Sequence, residues 1–166
     1  MTVQIDGNSG VSACQPNSVS QDDLQTGVVG KGSAFYVNTA TFSPITGTEQ
    51  FVTFTNKVFD TANAFTLATG VFKPIVPGYY QFNWSLSFAG SGLTRYFGDL
   101  FLNAAVANSG GRGVDSPPLS GTEGHSVGSA LIFMNGTTDI VRLGNYAIFT
   151  TGITSAEFSG FLARAA

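Results

Sequence analysis

Charge is what this chain has least of. Seven Lys and Arg and ten Asp and Glu make up 10% of its 166 residues, where an ordinary soluble domain carries roughly 25%. Long solvent-facing helices draw on arrays of paired Lys and Glu, so the deficit argues against them and for an all-β chain. The few cations are scattered from Lys31 to Arg164 and the net charge is −3. That excludes the clustered basic surface a nucleic-acid partner requires. No run approaches the roughly 20 apolar residues of a membrane span, and the first ten residues, MTVQIDGNSG, have neither a charged n-region nor an apolar h-region. Neither a membrane partner nor a secretion address is therefore expected.

The single cysteine, Cys14, excludes an intramolecular disulfide framework, so stability must come from packing or assembly. One histidine, His125, excludes a histidine-based metal cluster, and a Cys–His dyad would require the N-terminal segment to fold over the rest of the chain. The run Gly27 to Ser33 has the wrong spacing and context for a phosphate loop, and no G-x-S-x-G elbow occurs. Asn83 and Asn135 stand in glycosylation sequons that read better as a strand interior and a turn. The expectation is a protein that is not an enzyme, with no catalytic residue, no cofactor and no assigned metal ligand. Asp99 and Asp115, with Asn103 and Asn108, leave calcium open, but lack the dense spacing of a calcium loop.

Aromatic residues are plentiful at 13%, yet residues 1–32 contain none. Such a segment cannot bury enough apolar surface to order itself, so 1–32 reads as an arm and 33–166 as one folded domain. Ser20 to Gly27 offers one helical turn, and Val19, Leu24, Val28 and Val29 are the arm's candidate docking residues.

From Ser33 onward the pattern is period-two alternation punctuated by turns. In Gly78 to Phe88, Tyr80, Phe82, Trp84, Leu86 and Phe88 share one face, and the Pro77-Gly78 pair, with glycine free to take positive φ, sets the start. Asn135-Gly136 lies between two apolar runs and predicts a tight hairpin. Further strands are expected over Ala34 to Val37, Phe51 to Phe59, Phe65 to Leu67, Tyr96 to Leu102, Tyr146 to Thr150 and Phe158 to Ala163, with an exposed loop from Ala107 to Pro118. About ten short strands without a crossover helix read as a sandwich or jelly roll. Leu131 to Met134 and Tyr96 to Leu102 are apolar on both faces, so a second face must meet something, and an oligomeric seam accounts for it. Tyr96, Phe97, Phe101, Phe133, Phe149 and Phe161 read as trimer core before they read as a glycan-stacking platform.

Four stretches carry a family resemblance: Ala34 to Val37, Phe54 to Phe59, Thr69 to Phe82 and Glu157 to Leu162. Together, and above all through Gly70, Phe72, Pro77, Gly78, Tyr80 and Phe82, they resemble the C1q-like domain over about residues 33–166. The resemblance implies a ten-stranded jelly roll, related to the tumour-necrosis-factor fold, that assembles as a homotrimer. It also implies that Phe35, Phe72, Tyr80, Phe82, Trp84, Phe101, Phe133, Phe158, Gly160 and Phe161 form the core and trimer contacts. Residues 91–125 depart most from the family pattern. Val19 to Gly32 resembles the polar, Gly-rich lead-ins of phage virion proteins that carry C1q-like heads. The expectation is a virion structural protein made in the host cytoplasm: a trimeric capsid decoration or cement protein whose arm docks on the major capsid or another virion protein. The alternatives are a short head or tail fibre tip that binds a host surface glycan, and a cellular C1q-like adhesin.

Overall fold

Alternation along the chain is carried into alternation of burial. The computed structural model describes residues 32–40, 47–89, 95–107, 114–115, 123–148 and 153–166. These form twelve strands: β1 (Ala34–Thr39), β2 (Gln50–Phe51), β3 (Asn56–Asp60), β4 (Phe65–Thr66), β5 (Val71–Phe72), β6 (Gly78–Ala89), β7 (Arg95–Leu102), β8 (Ala105–Val106), β9 (Val114–Asp115), β10 (Glu123–Met134), β11 (Val141–Ile148) and β12 (Ile153–Ala165). One 3-10 turn, Leu67–Thr69, ends on Gly70 in the left-handed region (φ 63°), which glycine adopts at no steric cost. The strands build two sheets, ordered β3-β1-β12-β6-β10-β9 and β4-β5-β11-β7-β8, with β2 added to β11. Every pairing is antiparallel.

The first sheet is organised on β6. It pairs with β10 from Gly78↔Met134 to Ala89↔Glu123, and with β12 along its other edge. Tyr80, Phe82, Trp84, Leu86 and Phe88 of β6 point into the sandwich and are buried, as the period-two pattern predicts. Phe35 of β1 stands at the centre of an aromatic cluster, with ring centroids 4.8 Å from Phe65, 4.6 Å from Phe72 and 5.0 Å from Phe158. Tilted and edge-on ring packing of this kind adds to the stabilisation from burial alone. Gly160 leaves room for these rings, since a Cβ there would lie 2.7 Å from Phe82 and 2.8 Å from Phe35.

Several expectations are corrected. Asn135-Gly136 turns the chain, with Gly136 at φ 71°, but builds no hairpin. Strand β10 pairs with β6 and β9, whereas β11 pairs with β2, β5 and β7, so the turn carries the chain from one sheet to the other. The expected strand from Phe51 to Phe59 is two strands, β2 and β3, on different sheets. Gly78 is not at positive φ; glycine stands there because a Cβ would collide with the carbonyl oxygen of Arg164 on β12. The arm, with Val19, Leu24, Val28, Val29, Cys14 and the helical turn placed on it, lies outside the described residues, as do Asn108, Phe149 and most of the Ala107 to Pro118 loop.

Candidate functional site

The face of the first sheet turned away from the core holds most of the exposed large apolar side chains. Tyr79 (β6), Leu131 and Phe133 (β10) and Phe161 (β12) are 45–50% exposed. Strand register gathers them: Tyr79 lies opposite Phe133, with ring centroids 5.4 Å apart, and Phe161, Gln81 and Leu131 form the next rung. A hollow of about 300 Å³ opens among Tyr79, Leu131, Ala163 and Arg164. Two rungs beyond are mainly polar: Tyr36, Ser159, Asn83 and Ser129, then Asn38, Glu157 and Ser85, the second rung ending on the exposed Val127. Between β1, β12 and β6 these rungs enclose a second hollow of about 180 Å³. The next rung pairs Ser87 with His125, whose Nδ1 is 3.1 Å from the serine Oγ.

This surface separates two roles that the sequence treats together. Phe35, Phe72, Tyr80, Phe82, Trp84, Phe158 and Gly160 are buried between the sheets, while Phe133 and Phe161 are on the open face. Phe101 belongs to neither group. It is buried on the outside of the second sheet, edge-on to Phe51 at 5.2 Å, and Arg142 lies 4.6 Å over the Phe51 ring. Its neighbour Phe97 stacks on Tyr146 at 4.9 Å, with Arg95 lying over both rings. The second face of β7 is thus covered within the chain by rings and guanidinium groups, and the expectation that it needs a partner is overturned. Tyr96 points into the core. The six aromatic residues considered as one platform are therefore dispersed over three environments, apart from Phe149, which lies outside the described residues.

The carboxylates are as dispersed. Asp99 is wholly buried in the middle of β7, whereas Asn103 closes the turn to β8, donating to Asp139 at 3.1 Å and accepting from the Ile140 N–H. The side chain of Asp115 is not described. Among the described residues no group of three or more His, Cys, Asp or Glu could hold a metal ion. Lys57 and Asp60 form an ion pair at 2.8 Å, and Asp60 also accepts from the Ala64 and Phe65 N–H groups, each at 2.9 Å. Burial on its own would raise the Asp60 pKa, but Lys57 and the two amides outweigh it and hold the carboxyl below its ordinary range. Tyr80, whose hydroxyl donates to the Val76 carbonyl at 2.9 Å, is pushed the other way by burial. The polar hollow and the Ser87–His125 contact are not legible in sequence, because each depends on register across three strands.

The globular domain of zebrafish complement 1qA protein matches with a TM-score of 0.58 and 26% identity, over 81% of this chain and 99% of that one. Murine APRIL, at pH 8.0, matches with a TM-score of 0.50 and 11% identity, over 78% of this chain and 98% of that one. No protein-family model and no curated protein matches the sequence. The chain carries a C1q/TNF-like jelly-roll domain.

Proposed function

We propose that this chain is a non-enzymatic virion structural protein: a homotrimeric C1q-like head that decorates or cements a phage capsid, held there by its N-terminal arm. The observation that carries self-association is the rung pair Tyr79–Phe133 and Phe161–Gln81–Leu131, four large apolar side chains left open on one face of the sheet. A chain with so little charge has few side chains with which to solvate such a patch, and contiguous apolar surface of this kind marks an interface. Three copies close a cyclic assembly, and the C1q-like fold supports the same number. The particle-bound role rests on the sequence: an aromatic-free arm of 32 residues and its resemblance to phage lead-ins. Three arms on one head raise attachment well above that of a single arm, by about 10²–10⁴-fold.

Two measurements test this. Light scattering gives three times the 17.3 kDa chain mass, and a stable monomer overturns the assembly. A variant lacking residues 1–31 stays trimeric with unchanged thermal stability and no longer binds purified capsids; full binding without the arm overturns its anchoring role. Host-surface glycan binding is the second reading, since a trimeric C1q-like head would serve it equally. Binding of the armless trimer to host cells in place of capsids would establish it.

A further inference from the structure

Asn135 is the one asparagine of this chain that is followed by glycine. That pair carries a reaction of its own, because glycine leaves the next backbone nitrogen unshielded and the asparagine carboxamide can fold back on it. The Gly136 nitrogen adds to the Asn135 Cγ; the Cγ–Nδ2 bond breaks, and Nδ2 leaves as ammonia with the proton that Gly136 gives up. Water then opens the five-membered imide at either carbonyl, leaving aspartate or a β-aspartyl linkage. The folded turn opposes the first step. Oδ1 accepts from the Thr137, Thr138 and Asp139 N–H groups at 2.9, 2.9 and 3.1 Å and from the Thr137 hydroxyl at 3.2 Å, while Nδ2 donates to the Thr138 hydroxyl at 2.7 Å. The carboxamide is thus held forward along the chain and cannot turn back to Gly136 without releasing these bonds. Nor can the nitrogen come to it. Gly136 is buried, and a Cβ there would lie 2.6 Å from the Pro77 nitrogen, so its backbone is wedged against the Val76-Pro77 segment. Asp139 ties the far end of the turn, accepting from the Asn135 N–H at 2.8 Å and from Asn103 Nδ2 at 3.1 Å.

We propose that Asn135 is a spontaneous deamidation site that the folded turn keeps closed, so that the modification marks chains whose turn has opened. The rate then follows the open population and not the folded one. A β-aspartyl product adds a backbone carbon to the link between β10 and β11, where the Val76-Pro77 contact leaves no slack, so a marked chain does not regain the native turn. The turn is built within one chain, so the test is independent of capsid attachment. Full-length protein is aged in mildly alkaline buffer, both folded and in guanidinium chloride, and the NH2-to-OH mass increment at Asn135 is followed by peptide mapping. The folded protein is expected to react at least about tenfold more slowly than the unfolded chain. Asp139→Ala and Thr138→Ala each remove bonds that hold the turn, and are expected to raise the folded-state rate about threefold or more while leaving the rate in denaturant unchanged. Circular dichroism checks that each variant is folded; Thr138→Ala, at an exposed side chain, carries the test should Asp139→Ala not fold. Chains that reached the β-aspartyl form in denaturant are expected, once diluted out of it, to show a lower denaturation midpoint than unreacted chains. Equal rates in the folded and unfolded protein, wild-type folded-state rates in the folded variants, or an unchanged midpoint in reacted chains overturns the proposal. Faster reaction in the folded protein also overturns it, by making the donors on Oδ1 promoters of the addition.

Discussion

At the scale of single residues, glycine stands where a ring from the facing strand takes up side-chain volume. The indole of Trp84 sits between Gly98 of the second sheet and Gly128 of the first: a Cβ at Gly98 would lie 3.0 Å from Nε1, and one at Gly128 would overlap the six-membered ring. Gly128→Ala is therefore an overpacking change at a buried aromatic, expected to cost about 1–3 kcal/mol. Trp84 is the one tryptophan, so its fluorescence reports both the lowered denaturation midpoint and the displaced ring. Asp60 shows the opposite kind of dependence, on charge. Its carboxylate accepts from Lys57, Ala64 and Phe65, and its folded pKa is held below the ordinary aspartate value of 3.8. A group depressed on folding stabilises fully above its unfolded pKa and loses that contribution as pH falls through the folded one. Asp60→Asn turns one acceptor into a donor that faces donors, costing about 1.5–3 kcal/mol near neutrality. Denaturant midpoints should show the gap between wild type and variant narrowing as pH falls below about 4; a gap constant down to pH 2 would refute the charged role of Asp60.

At the scale of elements, turn chemistry proves local. The Asn135 Oδ1 accepts from the Thr137, Thr138 and Asp139 N–H groups at 2.9, 2.9 and 3.1 Å, and its Nδ2 donates to the Thr138 hydroxyl at 2.7 Å. Asn135→Ala should lower stability by about 1–2 kcal/mol in chemical denaturation, and Gly136→Ala by more. The second residue sits at positive φ, with a Cβ only 2.6 Å from the Pro77 nitrogen. Asn-Gly reads correctly as a turn, but nothing in it says which sheet receives the next strand. That choice is made by the pairing of β11 with β7, whose partners lie 39 to 53 residues back along the chain, from Val141↔Leu102 to Ile148↔Arg95, so the predicted hairpin is a crossing. Strand β6 was legible for the converse reason: its two faces meet different media, protein and the open side, and hydrophobicity records that difference residue by residue. Around Phe51 the signal misleads. Val52 and Phe54 keep alternating into the core while the chain passes from one sheet to the other, so the pattern continues although the pairing does not. Double-sided apolarity misleads likewise in β7, where Tyr146, Arg95, Phe51 and Arg142 complete the cover and no partner is required.

At the scale of the whole molecule, the candidate site was half legible. Phe133 and Phe161 appear in sequence beside core residues such as Phe82 and Phe158, because an interface position and a core position are both simply apolar; only the fold shows that the first two are open in one chain. That difference yields the sharpest test of assembly. Phe161 is 47% exposed, so in an isolated chain Phe161→Glu would place a carboxylate in water and change stability little. In a subunit contact the same carboxylate would be buried without a partner, at a cost of several kcal/mol. Leu131→Glu, on the same rung, probes the contact from a second strand. Both variants are expected to keep the β-sheet circular dichroism of the wild type at low concentration while losing the trimer mass in light scattering. The wild-type melting temperature should rise with protein concentration, as it must when unfolding and dissociation are coupled, and that dependence should vanish in the variants. Should both remain trimers with an unchanged melting temperature, the subunits would have to meet elsewhere, and the open aromatic face would be free for some other partner.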